Sequence, residues 1–154
     1  MKKSFSMMGD CSIISSLRVS TPEKAVEDIV DSERQGAVGF LLHAELLERQ
    51  YRNVGTIRKI LRSTQKPVMI LNYCIDGDDD DERLNQLKLD AILAGCAAVD
   101  VPMYTYDADP KKSLSECARS FTERQPAEVS MDEKVIERQK ALIGKIHAFG
   151  GEVL

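Results

Sequence analysis

The sequence predicts an α/β fold in which parallel strands alternate with helices. Short β-branched and apolar runs recur along the chain, and longer segments with helical periodicity lie between them. The 154 residues suit one domain, which typically has about 100–200 residues. Hydrophobic residues make up 43% and charged residues 30%, so a disordered chain and a membrane span are both disfavoured.

The first two strands frame a helix with clear end signals. The first strand is predicted from Cys11 to Leu17. Thr21-Pro22 then provides a capping residue and a proline suited to the first helical turn, and Gly36 ends the helix. The second strand is predicted from Val38 to Leu42, an apolar run typical of a strand covered on both faces.

The next two elements follow the same pattern. Asn53 is expected to cap the second helix, and the third strand is predicted from Pro67 to Asn72. An acidic loop, Asp76 to Glu82, leads into the third helix. Four residues are expected to share the buried face of this helix: Leu84, Leu87, Ala91 and Ala94.

The fourth unit departs from this rhythm. A strand is predicted from Ala97 to Val101, and an insertion from Tyr104 to Val129 follows it. The fourth helix is expected from about Ser130, as its N-cap, to about Ala148, and a fifth strand begins at Glu152. Four βα units and the start of a fifth correspond to half of a (β/α)₈ barrel of about 250 residues, so we expect further chain. A flavodoxin-like open sheet is the alternative.

Charge and cysteine content exclude several classes. The formal net charge is −4 and no basic stretch exists, so no nucleic-acid partner is expected. The four cysteines lack a C-x-x-C pair, which indicates reduced thiols. Gly9 and Asp10 interrupt the start of the chain before a signal-peptide core could form, so a cytoplasmic protein is expected. Gly-rich phosphate loops are absent, and the loop at Asp76 fails as an EF-hand because its twelfth residue is Leu87. We therefore expect no cofactor.

Candidate site residues follow from topology, because ligands bind at the carboxyl ends of parallel strands. This rule selects, as substrate-binding candidates, Ser16, His43, Glu45, Tyr73, Asp76 and Asp100, with Cys74 beside them.

Two of these groups have competing interpretations. In an extended chain His43 and Glu45 would point to one face and could pair, although surface or capping roles would also explain them. Asp100 follows an apolar run, so it is expected at the mouth of the sheet, either in a functional role or bracing the next loop. A metal site built from His43, Cys74 and Asp100 has no supporting spacing, so no metal is expected.

Short motifs resemble those of type I 3-dehydroquinate dehydratases. They are Thr21-Pro22-Glu23-Lys24-Ala25 through Gly36-Ala37, then Lys66-Pro67-Val68, then Gly95 through Val101. The resemblance covers most of residues 11–103 and returns at Ala148 to Leu154. It implies a (β/α)₈ lyase of the shikimate pathway, cytoplasmic and dimeric, which serves aromatic amino acid biosynthesis and dehydrates its substrate through a lysine Schiff base.

The match is partial at the residues that the resemblance assigns to the site. Ser16 and Asp100 are retained, whereas the strand-two Glu-Leu-Arg motif becomes Leu41-Leu42-His43. The strand-three arginine aligns with Tyr73, and a later glutamate aligns with Gly77, beside Asp76. Pro102 replaces the glutamate that follows the strand-four aspartate.

The function expected from this resemblance is a lyase acting on 3-dehydroquinate or a related carboxylate. The Schiff-base lysine and the acid–base histidine would lie beyond Leu154, so the chain alone is expected to be inactive. The alternative is a non-catalytic half-barrel that binds a partner or a second copy through its sheet edges. A homo-oligomer, or the remaining half of the barrel, is therefore an expected partner.

Overall fold

The protein is an α/β structure with one five-stranded sheet. The computed structural model describes residues 4–9, 12–72, 81–102, 105–107, 130 and 132–154. All neighbouring strands are parallel, and they lie in chain order. The strands are β1 (Ile14–Leu17), β2 (Gly39–His43), β3 (Val68–Leu71), β4 (Ala98–Val99) and β5 (Glu152–Val153).

Strand order decides between the two predicted architectures. A doubly wound sheet reverses its order at a switch point, whereas a (β/α)₈ barrel keeps its parallel strands in sequence. The observed order β1-β2-β3-β4-β5 is that of part of a barrel. The predicted class of parallel βα units is therefore confirmed, and the flavodoxin-like alternative is wrong.

The helices also follow the predicted alternation. They are α1 (Pro22–Arg34), α2 (Val54–Leu61), α3 (Asp81–Leu93) and α4 (Glu133–Ala148), and two short 3₁₀ turns, Ala44–Leu46 and Arg49–Tyr51, follow β2. Thr21 Oγ1 accepts a hydrogen bond from the Lys24 amide at 3.3 Å, and Asn53 Oδ1 accepts one from the Thr56 amide at 3.0 Å. Both predicted caps are thus confirmed.

The cap of α4 differs from the prediction. Asp132 Oδ1 accepts from the amides of Lys134 and Val135, at 2.8 and 3.3 Å, so Asp132 rather than Ser130 caps this helix. Ser130 Oγ instead accepts from the Asp132 amide at 3.4 Å. The carboxylate suits the N-terminus because it also meets the positive end of the helix dipole.

Side chains alternate between the two faces of the sheet. One face carries buried apolar residues from the strands β1 to β4: Leu17, Phe40, Leu42, Val68, Ile70 and Val99. The other face carries a smaller cluster of Met69, Leu71 and Ala98, against which Leu41 and Phe5 pack. In a closed barrel this second face is the interior, so Phe5 covers part of the surface that the interior would use.

The segment that carries Phe5 lies at the amino edge of the sheet. A Cβ atom on Gly39, the first residue of β2, would lie 3.0 Å from a Phe5 ring carbon, so glycine permits this close approach. Glu152, the first residue of β5, accepts hydrogen bonds from Ser4 Oγ, from the Phe5 amide at 2.8 Å and from Ser6 Oγ at 2.8 Å. The segment is therefore fixed by both packing and hydrogen bonds.

The chain divides into two compact units, Met1–Asp100 with Ile146–Leu154, and Val101–Lys145. The predicted single domain with an insertion at 104–129 stays a prediction, because most of that segment lies outside the described residues. The expected oligomer or second half-barrel also stays a prediction. None of the helices in the described part of the chain is long and apolar enough to cross a membrane.

Candidate functional site

The carboxyl ends of β1 and β2 bring a serine and a histidine together. Ser16 pairs in register with Leu41, and His43 lies two residues further along β2, so the side chains of Ser16 and His43 share one face. Ser16 Oγ is 3.2 Å from His43 Nε2. Ser16 is exposed, whereas the His43 side chain is only 13% exposed. A ligand in solvent can therefore reach the hydroxyl of this pair.

Glu45 holds the other side of the His43 ring. Its Oε1 atom is 2.8 Å from His43 Nδ1, and the side chain is only 4% exposed. An ionised carboxylate only accepts hydrogen bonds, so Nδ1 donates to it. In the neutral ring Nε2 then accepts, and the Ser16 hydroxyl donates to it.

The His43–Glu45 pair forms by a different route from the predicted one. The prediction relied on an extended chain, but Glu45 lies in the 3₁₀ turn Ala44–Leu46 that follows β2. The turn brings the carboxylate back over the end of the strand, where it is buried. The surface role considered for Glu45 is therefore wrong, and its contact with the imidazole is confirmed by the geometry.

A buried ion pair lies at the carboxyl end of β4. Asp100 follows this strand directly, and its Oδ1 atom is 3.3 Å from Lys88 Nζ on α3. The two side chains are 2% exposed for Lys88 and 9% for Asp100. The distance exceeds the 2.7–2.9 Å usual for a charge-assisted hydrogen bond. The expected position of Asp100 at the carboxyl end of the sheet is thus observed, and its ion pair with Lys88 is a contact that the sequence did not predict.

Burial and several nearby carboxylates shift the pKa of Lys88 in opposite directions. Burial lowers the pKa of the Lys88 ammonium below its ordinary value. The carboxylate of Asp100, followed by those of Asp81 and Glu45, acts in the opposite direction and raises it. Lys88 therefore lies within the electrostatic field of both Asp100 and Glu45.

Sequence reasoning missed Lys88 because it followed only apolar residues. The predicted buried face of α3 used Leu84 and Ala91, and Lys88 is four residues after the first and three before the second. That spacing places Lys88 on the same helical face. The buried face in fact comprises Leu84, Asn85, Lys88, Leu89, Ala91 and Ile92.

Several buried polar atoms near these groups lack hydrogen-bond partners within the described residues. They are Glu45 Oε2, both carboxylate oxygens of Asp100, and Asn85 Nδ2. Asn85 lies one helical turn before Lys88 and is 3% exposed. Buried polar atoms are nearly always hydrogen-bonded in native proteins, and Asp100 Oδ1 is compensated by its ion pair with Lys88.

Two predicted residues cannot be placed. Tyr73 and Asp76 lie outside the described residues, as does the neighbouring Cys74. The structure therefore unites Ser16, His43 and Glu45, and it pairs Asp100 with Lys88. In the described ranges no three His, Cys, Asp or Glu residues are grouped as a metal ion would require.

A separate cavity of about 420 Å³ lies between the starts of α2 and α3. Asn72, directly after β3, reaches it, and Asn72 Nδ2 donates to the Leu84 carbonyl at 3.3 Å. Neither Ser16 nor His43 lines this cavity, which is mostly apolar. The lining residues are Arg52, Asn53, Val54, Asn72, Arg83, Leu84, Gln86, Leu87 and Asp90.

Comparisons with known proteins give similarities to solved structures but none to a family model or a curated protein. A solved structure from Burkholderia cenocepacia, described as a "putative phosphonomutase", is similar over 92% of this chain and 68% of its own. The sequence identity is 14% and the TM-score is 0.42.

These findings correct the predicted family. The resemblance to type I 3-dehydroquinate dehydratases is wrong, since no family model and no curated protein matches the chain. The shared motifs are the N-cap at Thr21 with the proline that follows it, the glycines that end helices and the proline that begins a strand. These are general signals of βα units and do not specify a function. The predicted dehydratase activity depended on this resemblance and is therefore wrong. The Schiff base and the shikimate pathway lose their support for the same reason.

Proposed function

We propose that the carboxyl edge of β1 and β2 is an active site for acyl transfer from a small molecule. Ser16 is the nucleophile, His43 is the general base, and Glu45 is the residue that positions His43. The observation that carries this proposal is the continuous series of contacts, 3.2 Å from Ser16 Oγ to His43 Nε2 and 2.8 Å from His43 Nδ1 to Glu45 Oε1.

The chemistry follows from this order of groups. A serine hydroxyl is a weak nucleophile until an adjacent base accepts its proton, and a third group must orient that base. As the bond from Oγ to the acyl carbon forms, the hydroxyl proton moves to Nε2. The leaving group then takes this proton as its bond to the acyl carbon breaks, and water or another acceptor releases the acyl group.

Burial supports the assigned roles. Glu45 is almost fully covered, so its charge acts on the imidazole in a medium of low dielectric and stabilises the ring when it is protonated. Ser16 is exposed at the end of β1, where an incoming carbonyl group can reach it. The roles of Tyr73, Asp76 and Asp100 in binding the substrate remain part of the proposal.

A second candidate is acid–base catalysis on a hydroxyl group of the substrate. It is favoured by the exposure of Ser16, because a substrate hydroxyl can take the place of Oγ at Nε2. In that case His43 and Glu45 keep their roles, and Ser16 only holds the imidazole in the absence of substrate.

Covalent labelling separates the two candidates. A fluorophosphonate reagent reacts with activated serine hydroxyls, and peptide mass spectrometry locates the label. We expect labelling at Ser16 and none at Ser20, an exposed serine four residues further on. His43→Ala should reduce the labelling rate at Ser16 by about 100-fold or more.

Two labelling results would contradict the proposed roles. If Ser16 reacts no faster than Ser20, Ser16 is not a nucleophile and acyl transfer is wrong. If His43→Ala leaves the rate at Ser16 unchanged, His43 is not its base. Hydrolysis of 4-nitrophenyl acetate by the Ser16→Ala variant provides the matching activity measurement, and we expect it to fall to the level of buffer.

A further inference from the structure

The cavity between the starts of α2 and α3, which we call the α2–α3 cavity, has the size of a ligand site. Its volume is about 420 Å³, and small-molecule sites typically have about 300–1,000 Å³. Two of its lining residues, Asn72 and Leu84, are buried, whereas Asn53, Arg83 and Gln86 are exposed. The cavity therefore extends from the buried end of β3 to solvent, and a small molecule can enter it.

This cavity lies at the carboxyl edge of the sheet. Asn72 follows β3 directly, and Arg52 and Asn53 lead into α2. In parallel βα units each helix begins near the edge at which the strands end, and ligands bind at that edge. The position of the cavity is thus one at which the fold favours binding.

The wall that α3 provides is one stripe of the helix surface. It consists of Arg83, Gln86, Leu87 and Asp90, whose spacing of three and four residues places them on one face. Gln86 Nε2 donates to Asp90 Oδ1 at 2.8 Å, so this carboxylate is engaged within the wall. Asp90 also lies seven residues after Arg83, about 10 Å further along the helix axis. The end of the cavity next to the helix starts is therefore separated from the Asp90 charge.

Two arginines make that end positive. Arg52 lies two residues before Val54, the first residue of α2, and Arg83 is the third residue of α3. The helix dipole is positive at a helix start, so a cation there is unfavourable for stability and an anion is favourable. Arg52 Nε donates to the Leu47 carbonyl at 2.7 Å, which holds the guanidinium at the cavity. The charges are thus arranged to attract an anion rather than to stabilise the two helices.

The remaining lining is largely apolar. Val54, Leu84 and Leu87 contribute aliphatic side chains to it. Asp81 and Glu82 open α3, as acidic residues commonly do, but neither lines the cavity. An anion bound by the arginines would therefore carry its apolar part against these aliphatic side chains.

We propose that the α2–α3 cavity binds a small molecule that carries an oxyanion group, phosphate or carboxylate, on an apolar body. Arg52 and Arg83 donate to the oxyanion, because the planar guanidinium group matches both phosphate and carboxylate oxygens. Val54, Leu84 and Leu87 contact the apolar body. The site shares no residue with the Ser16–His43 site, and the inference does not depend on the proposed function.

Four probes with one aromatic ring test the charge preference. They are phenyl phosphate and benzoate, which are anionic, benzyl alcohol, which is neutral, and benzylamine, which is cationic. Each is titrated into the full chain, and the amide NMR signals of Gly55, Asn72 and Leu84 report binding. We expect the tighter of the two anions to bind about tenfold or more tightly than benzyl alcohol, and benzylamine to give no saturable shift. The order of the two anions identifies the oxyanion group.

Inorganic phosphate tests the apolar part of the inference. It carries the charge without the ring, so it should bind about tenfold or more weakly than phenyl phosphate. Equal affinity of the two phosphates would show that the aliphatic lining contributes nothing.

Variants locate the effect. Arg83 is exposed, so Arg83→Gln should fold normally, and it should weaken binding of the preferred anion by about tenfold. The matched control is Arg58→Gln, which removes an exposed arginine of α2 that does not line the cavity, and its affinity should be unchanged. Arg52→Gln should cause a loss similar to that of Arg83→Gln. If Arg52→Gln does not fold, Arg83→Gln and the ranking of the probes still decide the matter.

Three results would overturn the inference. They are benzyl alcohol binding as tightly as both anions, an equal loss of affinity in Arg58→Gln and Arg83→Gln, and no shift with any probe. Ser16→Ala should bind the preferred anion like the wild type, because Ser16 does not line the cavity. A chain that binds the anion but is not labelled at Ser16 therefore keeps this site and loses acyl transfer.

Discussion

At the amino edge of the sheet, Glu152 accepts hydrogen bonds from two serine hydroxyls and a backbone amide, whereas at the carboxyl edge Asp100 accepts none from the described residues. Phe5 covers the amino edge, and the Glu152 carboxylate is hydrogen-bonded there, as expected of a part that stabilises the fold. The carboxyl edge holds the His43 series and the Lys88 pair. In parallel α/β folds this division between a stabilising edge and an active edge is general.

The largest expected effect comes from removing one member of the buried ion pair. Asp100→Ala leaves the Lys88 ammonium buried without its nearest carboxylate, which should lower the free energy of unfolding by about 3–5 kcal/mol. Urea denaturation followed by circular dichroism measures this. The control Lys88→Met/Asp100→Leu removes both charges and should be close to the wild type or more stable. A loss below about 1 kcal/mol for Asp100→Ala would contradict the pairing.

At the other edge, Phe5→Ala tests the apolar cover. The ring packs on the cluster of Met69, Leu71 and Ala98 but is only partly buried, so we expect a loss of about 1–3 kcal/mol, below the usual value for a fully buried phenylalanine. Met7→Ala is the matched control, since Met7 is 72% exposed on the same segment. Equal stability of the two variants would show that Phe5 does not cover the sheet.

The Lys88 pKa predicts how stability changes at alkaline pH. Because burial lowers this pKa, the unfolded chain binds a proton that the folded chain has lost, in the window from the folded-state pKa up to about 10.5. The free energy of unfolding therefore gains up to about 1.4 kcal/mol per pH unit as pH rises through this window, and nothing below it. Lys88→Met/Asp100→Leu should lack the gain, and identical pH profiles for both proteins would contradict it.

Glu152 predicts a smaller change at acid pH. Burial raises its pKa, but the hydrogen bonds from Ser4, the Phe5 amide and Ser6 together outweigh this, so the pKa is lowered. Its stabilisation is complete above its ordinary value of 4.5 and is lost as pH falls through the lowered pKa. Glu152→Ala should cost about 1 kcal/mol at pH 7 and flatten the acid profile, whereas Glu27→Ala on the exposed face of α1 should change neither.

The fold was largely predictable because it depends on local signals. Alternating patterns and the caps at Thr21 and Asn53 located the four described helices and all five strands, although strand ends depend on pairing and fell within a few residues. Asp132 was missed as a cap because two capping residues, Ser130 and Asp132, precede α4. The apparent family was wrong because its motifs mark helix and strand ends in any βα unit.

The site was less predictable because it depends on contacts between distant residues. Topology selected Ser16, His43 and Asp100, since strand ends converge in space. Topology gave no indication of Lys88, because a lysine is not expected on the buried face of a helix. The sequence also predicted the partner of His43 correctly, but it assumed an extended chain. The 3₁₀ turn that brings Glu45 to the ring cannot be inferred from the spacing of the two residues.

The most direct test of an active carboxyl edge is the tautomer of His43. The chain has two histidines, and His147 is exposed on α4, so it is an internal reference for ¹⁵N-detected imidazole NMR. The account predicts that neutral His43 carries its proton on Nδ1, facing Glu45, and that Glu45→Gln changes this pattern while His147 is unaffected. A neutral His43 protonated on Nε2, or one unchanged by Glu45→Gln, would contradict it.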